Sequence, residues 1–176
     1  PYYLIGSSGN SINLDERFRG YLRALEDAGI EYTNSMRISL QGSFSTGGLV
    51  SGAAHQGGEA VDTLFKKRGL IPGEDVDALV IFNDKMALEV MESLSKEGIR
   101  VPEDVCILSF DNTAESETSN PPLTTSAIDW QTLGIEGLKL LRNIIAGEQP
   151  NTGLEITPSL IVRNSCGCFN PVDRLL

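Results

Sequence analysis

The sequence predicts an α/β fold, a doubly wound and mostly parallel sheet with helices on both faces. Three observations lead to this prediction. The apolar runs at 76–82 and 105–110 are almost uninterrupted, as in strands that are covered on both faces. The segment 84–97 between them keeps its apolar residues at helical spacing and is followed by a glycine. Strand and helix patterns alternate with short connections, which is typical of parallel sheets.

The first half of the chain contains two predicted strands and two predicted helices. An apolar run at 2–5 stops at the small-residue turn G-S-S-G-N, which indicates a strand and its exit. Residues 14–28 have helical apolar spacing and are followed by Gly29, a common helix stop. Residues 36–40 are predicted as the second strand. A loop rich in glycine and serine at 42–58 then leads into a helical pattern at 58–68.

After the strand at 105–110 the chain crosses a polar loop and forms three further elements. Residues 123–128 have an extended pattern. Residues 130–146 are predicted to be helical, because Leu133, Leu138 and Leu141 recur at helical spacing. Residues 154–162 return as a strand.

Length and charge limit the classes of function. The chain has 176 residues, enough for one domain or two small lobes with a core of their own. It carries 14 Lys and Arg against 24 Asp and Glu, a formal net charge of −10, and its longest basic run is three residues at 66–68. We therefore expect this segment to bind neither a nucleic acid backbone nor an acidic membrane surface. No apolar run approaches the roughly 18–20 residues that span a bilayer.

The cysteines favour a cytoplasmic protein with reduced thiols. There are three of them, Cys106, Cys166 and Cys168, in a chain large enough to fold without disulfides. The C-G-C sequence at 166–168 could also be a metal or redox pair, but a single C-x-C is a weak signal for either.

Polar side chains follow two of the buried strands. Asn83 and Asp84 come after one strand, and Asp111 and Asn112 after the next. The carboxyl ends of parallel strands share one edge of the sheet, where ligands of open α/β folds bind. Amide and carboxylate groups there suit hydroxyl groups or ring nitrogens, and Arg17 is the best candidate to balance the carboxylate. Taken singly, each Asn or Asp could equally be a helix cap or turn former, and Arg17 a solvated charge.

The sequence resembles the effector-binding core of the LacI/GalR family of transcriptional regulators, whose fold is that of periplasmic sugar-binding proteins. The matching motifs are N-D-x-M-A at 83–87, G-I-x-V-P-E-D-V at 98–105, F-D at 110–111, P-P-L-T-T at 121–125 and V-R-N-S-C-G at 162–167. The likeness covers roughly residues 1–168. It implies a periplasmic-binding-protein-like type I lobe.

The resemblance also implies which residues contact the effector. In relatives, the residues that match Arg17, Asn83 and Asp111 commonly contact a sugar or base. Phe44 matches a position that often holds a ring stacked on the ligand, and its alternative role is that of a loop anchor. Asp84 joins the candidates because it follows the same strand as Asn83.

The domain organisation expected from the resemblance is bilobed. Residues 1–119 and 152–168 would form the C-terminal lobe, 120–151 a crossover strand and helix belonging to the N-terminal lobe, and 169–176 an extension. Effector binding would change the lobe geometry and thereby DNA binding, through a headpiece that residues 1–176 do not contain. We expect a homodimer, a sugar or nucleobase-like effector, no membrane and no cofactor.

Two other functions stay open at this stage. The domain could sense a ligand for a cyclase or kinase, or be a periplasmic sugar-binding protein, which the reduced-looking cysteines disfavour. An enzyme is not expected, because the single histidine, His55, has no partner motif for a nucleophile or a metal. The G-S-S-G-N-S turn does not have the spacing of a dinucleotide site.

Overall fold

A computed structural model describes residues 2–7, 12–40, 56–148 and 155–168. The sequence forms six strands and five helices over these residues. In chain order the elements are β1 (Tyr2–Ser7), α1 (Ile12–Asp27), β2 (Arg37–Leu40), α2 (Gln56–Val61), β3 (Ala78–Ile81), α3 (Asp84–Lys96), β4 (Cys106–Phe110), α4 (Ala114–Thr118), β5 (Thr124–Ala127), α5 (Trp130–Ile145) and β6 (Ser159–Ile161). α2 continues as a π-helical turn, Asp62–Lys67, and short 3₁₀ turns occupy Asn34–Met36 and Asn164–Cys166.

The strands form one sheet in the order β2-β1-β3-β4-β5-β6. The first five strands are parallel, and β6 runs antiparallel to β5 at the edge. The prediction of a mostly parallel α/β sheet is confirmed. The position of β1 between β2 and β3 places the carboxyl ends of β1, β3 and β4 side by side at one edge.

One expected boundary is corrected by this pairing. β5 pairs with β4 through Leu108–Thr124, Ser109–Thr125 and Phe110–Ser126, so it belongs to this sheet and not to a crossover that begins at residue 120. The strand joins the sheet because its threonines are buried in it, Thr124 at 1 % and Thr125 at 0 % exposure. The chain leaves the sheet only after Ala127, and the membership of α5 in a second lobe stays a prediction.

Most of the core lies between the sheet and the layer of α2 and α3, and Tyr21 and Leu25 of α1 also belong to it. Alternation along the strands sends Leu79, Ile81 and Ile107 to one face, where they are buried, and leaves Val80 and Leu108 half-buried on the other. α2 and α3 pack so closely that a Cβ at Gly57 would lie 2.5 Å from the backbone of Glu89. Only glycine fits at that contact.

α5 differs from the other long helices in having no buried residue. Its apolar stripe includes Trp130 at 60 %, Leu138 at 69 % and Ile145 at 78 % exposure. The helix itself was predicted correctly, and Asp129 caps it by accepting from the Thr132 N–H at 2.9 Å. An apolar stripe of this size is typical of an interaction face.

Candidate functional site at the strand ends

Arg17 joins the ends of two parallel strands. From the second turn of α1 its guanidinium donates to the Phe82 carbonyl oxygen, just after β3, and to the Asp111 carboxylate at 3.2 Å, just after β4. Its Cζ also lies 4.6 Å from the centre of the Phe110 ring. The sequence predicted an arginine beside a strand-end carboxylate, and the structure brings these two predicted site residues together.

The Arg17–Asp111 pair is accessible, since the two side chains are 22 % and 34 % exposed. Burial raises the pKa of the Asp111 carboxyl above its ordinary value, and Arg17 only partly offsets this. A carboxylate that is partly desolvated is suited to accept hydrogen bonds from a ligand.

The backbone that carries Asp111 has an uncommon conformation. Asp111 and Asn112 have φ values of 113° and 53°, in the region that favours glycine. Two hydrogen bonds that the turn donates to β5 hold it in place: the Asp111 N–H donates to the Ser126 carbonyl at 2.9 Å and the Asn112 N–H to the Thr125 hydroxyl at 3.3 Å. Such strain costs about 1–3 kcal/mol per residue and is concentrated at functional sites in proteins.

Asn83 is a helix cap. Its Oδ1 accepts from the Met86 N–H at 2.9 Å and so satisfies a free donor at the start of α3. The cap uses only the oxygen of the amide, so the two Nδ2 hydrogens are chemically available for a second role. Asn83 therefore has the helix-capping role that the sequence left open as an alternative, and this role does not exclude ligand contact.

Asp84 is a structural hub and not a ligand residue, contrary to our expectation. It is 0 % exposed and accepts from the Ser109 hydroxyl, the Thr125 hydroxyl at 2.6 Å and the Thr113 N–H at 2.8 Å. Its position at the first residue of α3 favours a negative charge there. With both oxygens engaged below the surface, Asp84 fixes α3 to β4 and β5 and shapes the turn that carries Asp111.

Two neighbours of the site, Asn112 and Arg163, are joined in a way that the sequence reasoning missed. Arg163, just after β6, donates to Asn112 Oδ1 at 2.8 Å, to the Leu123 carbonyl at 2.7 Å and to the Ser116 hydroxyl at 3.1 Å. It thereby holds the residue next to Asp111. Its place in V-R-N-S-C-G was a signal, but a contact across 51 residues is invisible to local patterns.

The remaining candidate, Phe44, lies outside the described residues. The same holds for the glycine-rich stretch around it, apart from the start of α2. Its predicted stacking role stays a prediction.

Two hollows lie near α1 and α3. A groove of about 580 Å³ between α1 and the half-buried sheet face is lined by Tyr21, Val80 and Leu108, and Arg17 and Asp111 also belong to its lining. Its walls are mainly apolar, so Arg17 and Asp111 are the part of the lining suited to a hydroxylated ligand. A second hollow, of about 490 Å³, lies at the opposite end of α3 and is not part of the strand-end site.

Metal sites and membrane spans are not found in the described ranges. Over residues 16–38, 57–148 and 155–168 no three His, Cys, Asp or Glu side chains are grouped so as to hold a metal ion. Across the part of the chain that the structure describes, none of the helices combines the length and the apolar character needed to cross a bilayer.

The mostly parallel sheet with polar side chains at its strand ends is found in a known family of domains. The model of the periplasmic binding protein-like domain matches residues 2–166, and the chain belongs to this family. Among curated proteins, the transcriptional repressor PurR of Vibrio atlanticus is 31 % identical over 156 residues, 88 % of this chain and 42 % of PurR. The chain spans less than half the length of the curated relatives it matches.

Solved structures point to the same family. A LacI regulator from Bacillus cereus subsp. cytotoxis superposes with a TM-score of 0.76 at 28 % identity, over 94 % of this chain and 54 % of that one. The transcriptional regulator CelR in complex with cellobiose superposes with a TM-score of 0.75 at 29 % identity, over 93 % and 46 %. The resemblance to the LacI/GalR family is thus confirmed.

Proposed function

We propose that this chain is the effector-sensing part of a LacI/GalR-type transcriptional regulator, with a binding and not a catalytic role. The observation that carries the proposal is the Arg17–Asp111 pair at the carboxyl ends of β3 and β4, in a sheet of the periplasmic binding protein-like family. A guanidinium and a carboxylate side by side match the alternating acceptor and donor groups of vicinal hydroxyls.

The proposed effector is a sugar or a nucleobase-like compound. A sugar is supported by the cellobiose complex of the similar regulator CelR. In this role Asp111 accepts from ligand hydroxyls, Arg17 donates to ligand oxygens, and Asn83 adds donors through Nδ2. Phe44 remains part of the proposal as a stacking ring.

The proposed mechanism is closure of two lobes around the effector. The exposed stripe of α5 is the feature of this chain that supports it, since a second lobe seated there would bury Leu138 and Ile145. A ligand that bridges the lobes shifts their relative angle, because it binds the closed arrangement better than the open one. Residues 128–151 are the proposed crossover and residues 152–168 the return, with 169–176 as an extension.

The output proposed is DNA binding by a separate headpiece in a cytoplasmic homodimer. The net charge of −10 on this chain supports a division of labour in which DNA contact lies elsewhere. The gene sequence on both sides of the segment tests this part. A helix-turn-helix upstream is the expected result, and a cyclase or kinase module downstream in its place would contradict it.

The effector class is tested separately by isothermal titration calorimetry. Cellobiose, D-glucose, D-ribose, hypoxanthine and glucose 6-phosphate represent sugars, nucleobases and sugar phosphates. Saturable heat with one of these compounds is expected. Its absence with all five, for a chain whose folding has been verified by circular dichroism, would contradict the proposed effector class.

A further inference from the structure

The three cysteines, which play no part in the proposed effector site, converge at the amino end of β4. Cys106 is the first residue of β4, and Cys166 closes the 3₁₀ turn that follows β6. A Cβ placed at Gly167, between Cys166 and Cys168, would lie 3.5 Å from Cys106 Sγ and 3.5 Å from Pro102. Residues from distant parts of the chain thus form one group of thiols.

Within this group Cys166 and Cys168 are held together by a turn of the backbone. Gly167 has a φ of 69°, a left-handed conformation that turns the chain back on itself. As a result the Cys168 N–H donates to Cys166 Sγ at 3.4 Å, and the Cys168 thiol donates to the Cys166 carbonyl oxygen at 3.8 Å. Each sulfur therefore lies within contact distance of the backbone of the other residue, so that the two thiols share one tight turn.

The two thiols are chemically unequal. Burial raises the pKa of Cys166, but hydrogen bonds from Cys168 and Thr124 outweigh burial and leave this pKa below its ordinary value. The hydrogen bond to Cys166, followed by burial, raises the pKa of Cys168 to about 11. One thiol is thus readier to lose its proton while the other keeps it, which suits an attacking and a resolving sulfur.

Access and environment fit a reaction with a small oxidant. Cys168 is exposed and Cys166 half-exposed, and Gly167 lines the hollow of about 490 Å³ at this end of the fold. Cys106, in contrast, donates its S–H to the Pro102 carbonyl oxygen at 3.6 Å and is anchored in a strand.

We propose that Cys166 and Cys168 form a redox-active pair that closes to an intramolecular disulfide in the presence of hydrogen peroxide. The Cys166 thiolate attacks one peroxide oxygen, an S–O bond forms, the O–O bond breaks, and the departing hydroxide takes up a proton to become water. The Cys168 sulfur then attacks the sulfenic sulfur of Cys166, the S–S bond forms, and the S–O bond breaks. The departing hydroxide takes the Cys168 proton as a second water, so two thiols and one peroxide yield one disulfide and two waters.

Formation of the Cys166–Cys168 disulfide has a structural consequence at Arg163. In the reduced protein the Cys166 thiol donates to the Arg163 carbonyl oxygen at 3.4 Å. A disulfide sulfur has no hydrogen to donate, so closure removes this contact at the residue that holds Asn112 beside the strand-end site.

The test is peptide mapping of the folded chain after treatment with hydrogen peroxide. Free thiols are blocked with iodoacetamide under non-reducing conditions, and the mass of the peptide containing residues 166–168 is measured by mass spectrometry. We expect this peptide to lose two hydrogens and to carry no alkyl group, and dithiothreitol to restore both alkylation sites. Before oxidation, we expect Cys166 to react with iodoacetamide about tenfold faster than Cys106.

Matched variants assign the bond. Cys106→Ser should still form the disulfide, whereas Cys166→Ser and Cys168→Ser should not. A disulfide that includes Cys106, alkylation of both Cys166 and Cys168 after oxidation, or conversion of Cys166 to sulfinic acid without a disulfide would each overturn the proposal. The mapping of the unsubstituted chain decides the question even where a variant fails to fold.

Discussion

The Arg17 guanidinium lies 3.2 Å from the Asp111 carboxylate, although the two residues are 94 positions apart in the chain. The contact exists because β1 lies beside β3, so that the start of the helix after β1 comes close to the ends of β3 and β4. Sheet order thus turns two distant polar residues into neighbours at the edge where open α/β sheets bind ligands.

Replacing Asp111 by Asn should stabilise the ligand-free fold at neutral pH. Burial raises the pKa of Asp111 above 3.8, so the folded state holds this proton more tightly than the unfolded chain. The stabilisation that protonation of Asp111 gives is complete below pH 3.8, the ordinary pKa of an aspartate, and is lost as pH rises through the raised pKa of the folded state. An asparagine side chain stays neutral at every pH, and Asp111→Asn should therefore gain less than about 1 kcal/mol at pH 7, a small effect because the site is partly solvated.

Urea denaturation of both proteins across the acidic range measures this difference. The advantage of Asp111→Asn should shrink as pH falls toward 3.8, where the native carboxyl is itself protonated. An Asp111→Asn protein that is less stable than the parent at pH 7 would show that the Arg17 pair outweighs burial.

Two substitutions of Asn83 separate its cap from its proposed ligand contact. Asn83→Ala removes the acceptor of the Met86 N–H and should cost about 1 kcal/mol of stability. Asn83→Asp keeps a capping oxygen but loses the Nδ2 donors, so it should retain stability and lose effector affinity. Thermal unfolding and calorimetric titration report the two effects. Unchanged affinity for both variants would leave Asn83 as a cap only.

Loss of the Asp84 carboxylate should destabilise the whole domain. Asp84→Ala leaves two hydroxyls and the Thr113 N–H without their acceptor in the interior, and we expect a loss of about 2–4 kcal/mol in the free energy of unfolding. Asp84→Asn, which keeps one acceptor, should fall between the parent and Asp84→Ala. Glu115→Ala on exposed α4 is the control and should change stability little. A parent-like Asp84→Ala protein would contradict the role of Asp84 as a hub.

The turn before β4 should lose stability in acid. Three hydrogen bonds from the Arg100 side chain and backbone lower the pKa of Asp104 to about 2. Because its pKa is lowered on folding, Asp104 stabilises the folded state above pH 3.8, and this contribution is lost as pH falls through about 2. Asp104→Asn should thus lower the free energy of unfolding by about 1 kcal/mol at pH 7, and by progressively less below pH 3.8. The loss is small because Arg100 is largely exposed. Glu103→Gln is the neighbouring control, and an equal pH trend in it would contradict this assignment.

Local patterns predicted most elements of the fold because each of these has a local physical cause. The short helix α4 was missed, since it lies where the sequence predicted only a polar loop. Buried strands such as β3 and β4 are nearly continuous apolar runs, and α3 begins at a capping amide and is followed by a glycine. The strand order and the antiparallel direction of β6 depend on contacts between distant segments, which no window of sequence contains. The placement of β5 was missed for the same reason.

The candidate site was predictable in part. Arg17 and Asp111 follow from the rule that parallel strands share a carboxyl edge. Asn83 and Asp84 are adjacent and look alike in sequence, yet Asn83 is half-buried and caps α3, whereas Asp84 is fully buried. Asp84 accepts from Ser109 and Thr125, whose positions come from strand pairing. The contact of Arg163 with Asn112 likewise depends on the pairing of β6 with β5, which local sequence patterns do not contain.

The central claim is that the polar strand ends bind the effector, and NMR titration of the ¹⁵N-labelled chain tests it most directly. With cellobiose or another compound of the panel that binds, the account predicts saturable shifts of the Arg17 Nε–H signal and of the backbone signals of Asn83 and Asp111. Arg17→Ala and Asp111→Ala should weaken binding by about 1–3 kcal/mol, whereas Arg19→Ala, which removes only an exposed ion pair with Glu16 on the same helix, should not. Shifts confined to other residues, or unchanged affinity in both Arg17→Ala and Asp111→Ala, would contradict the account.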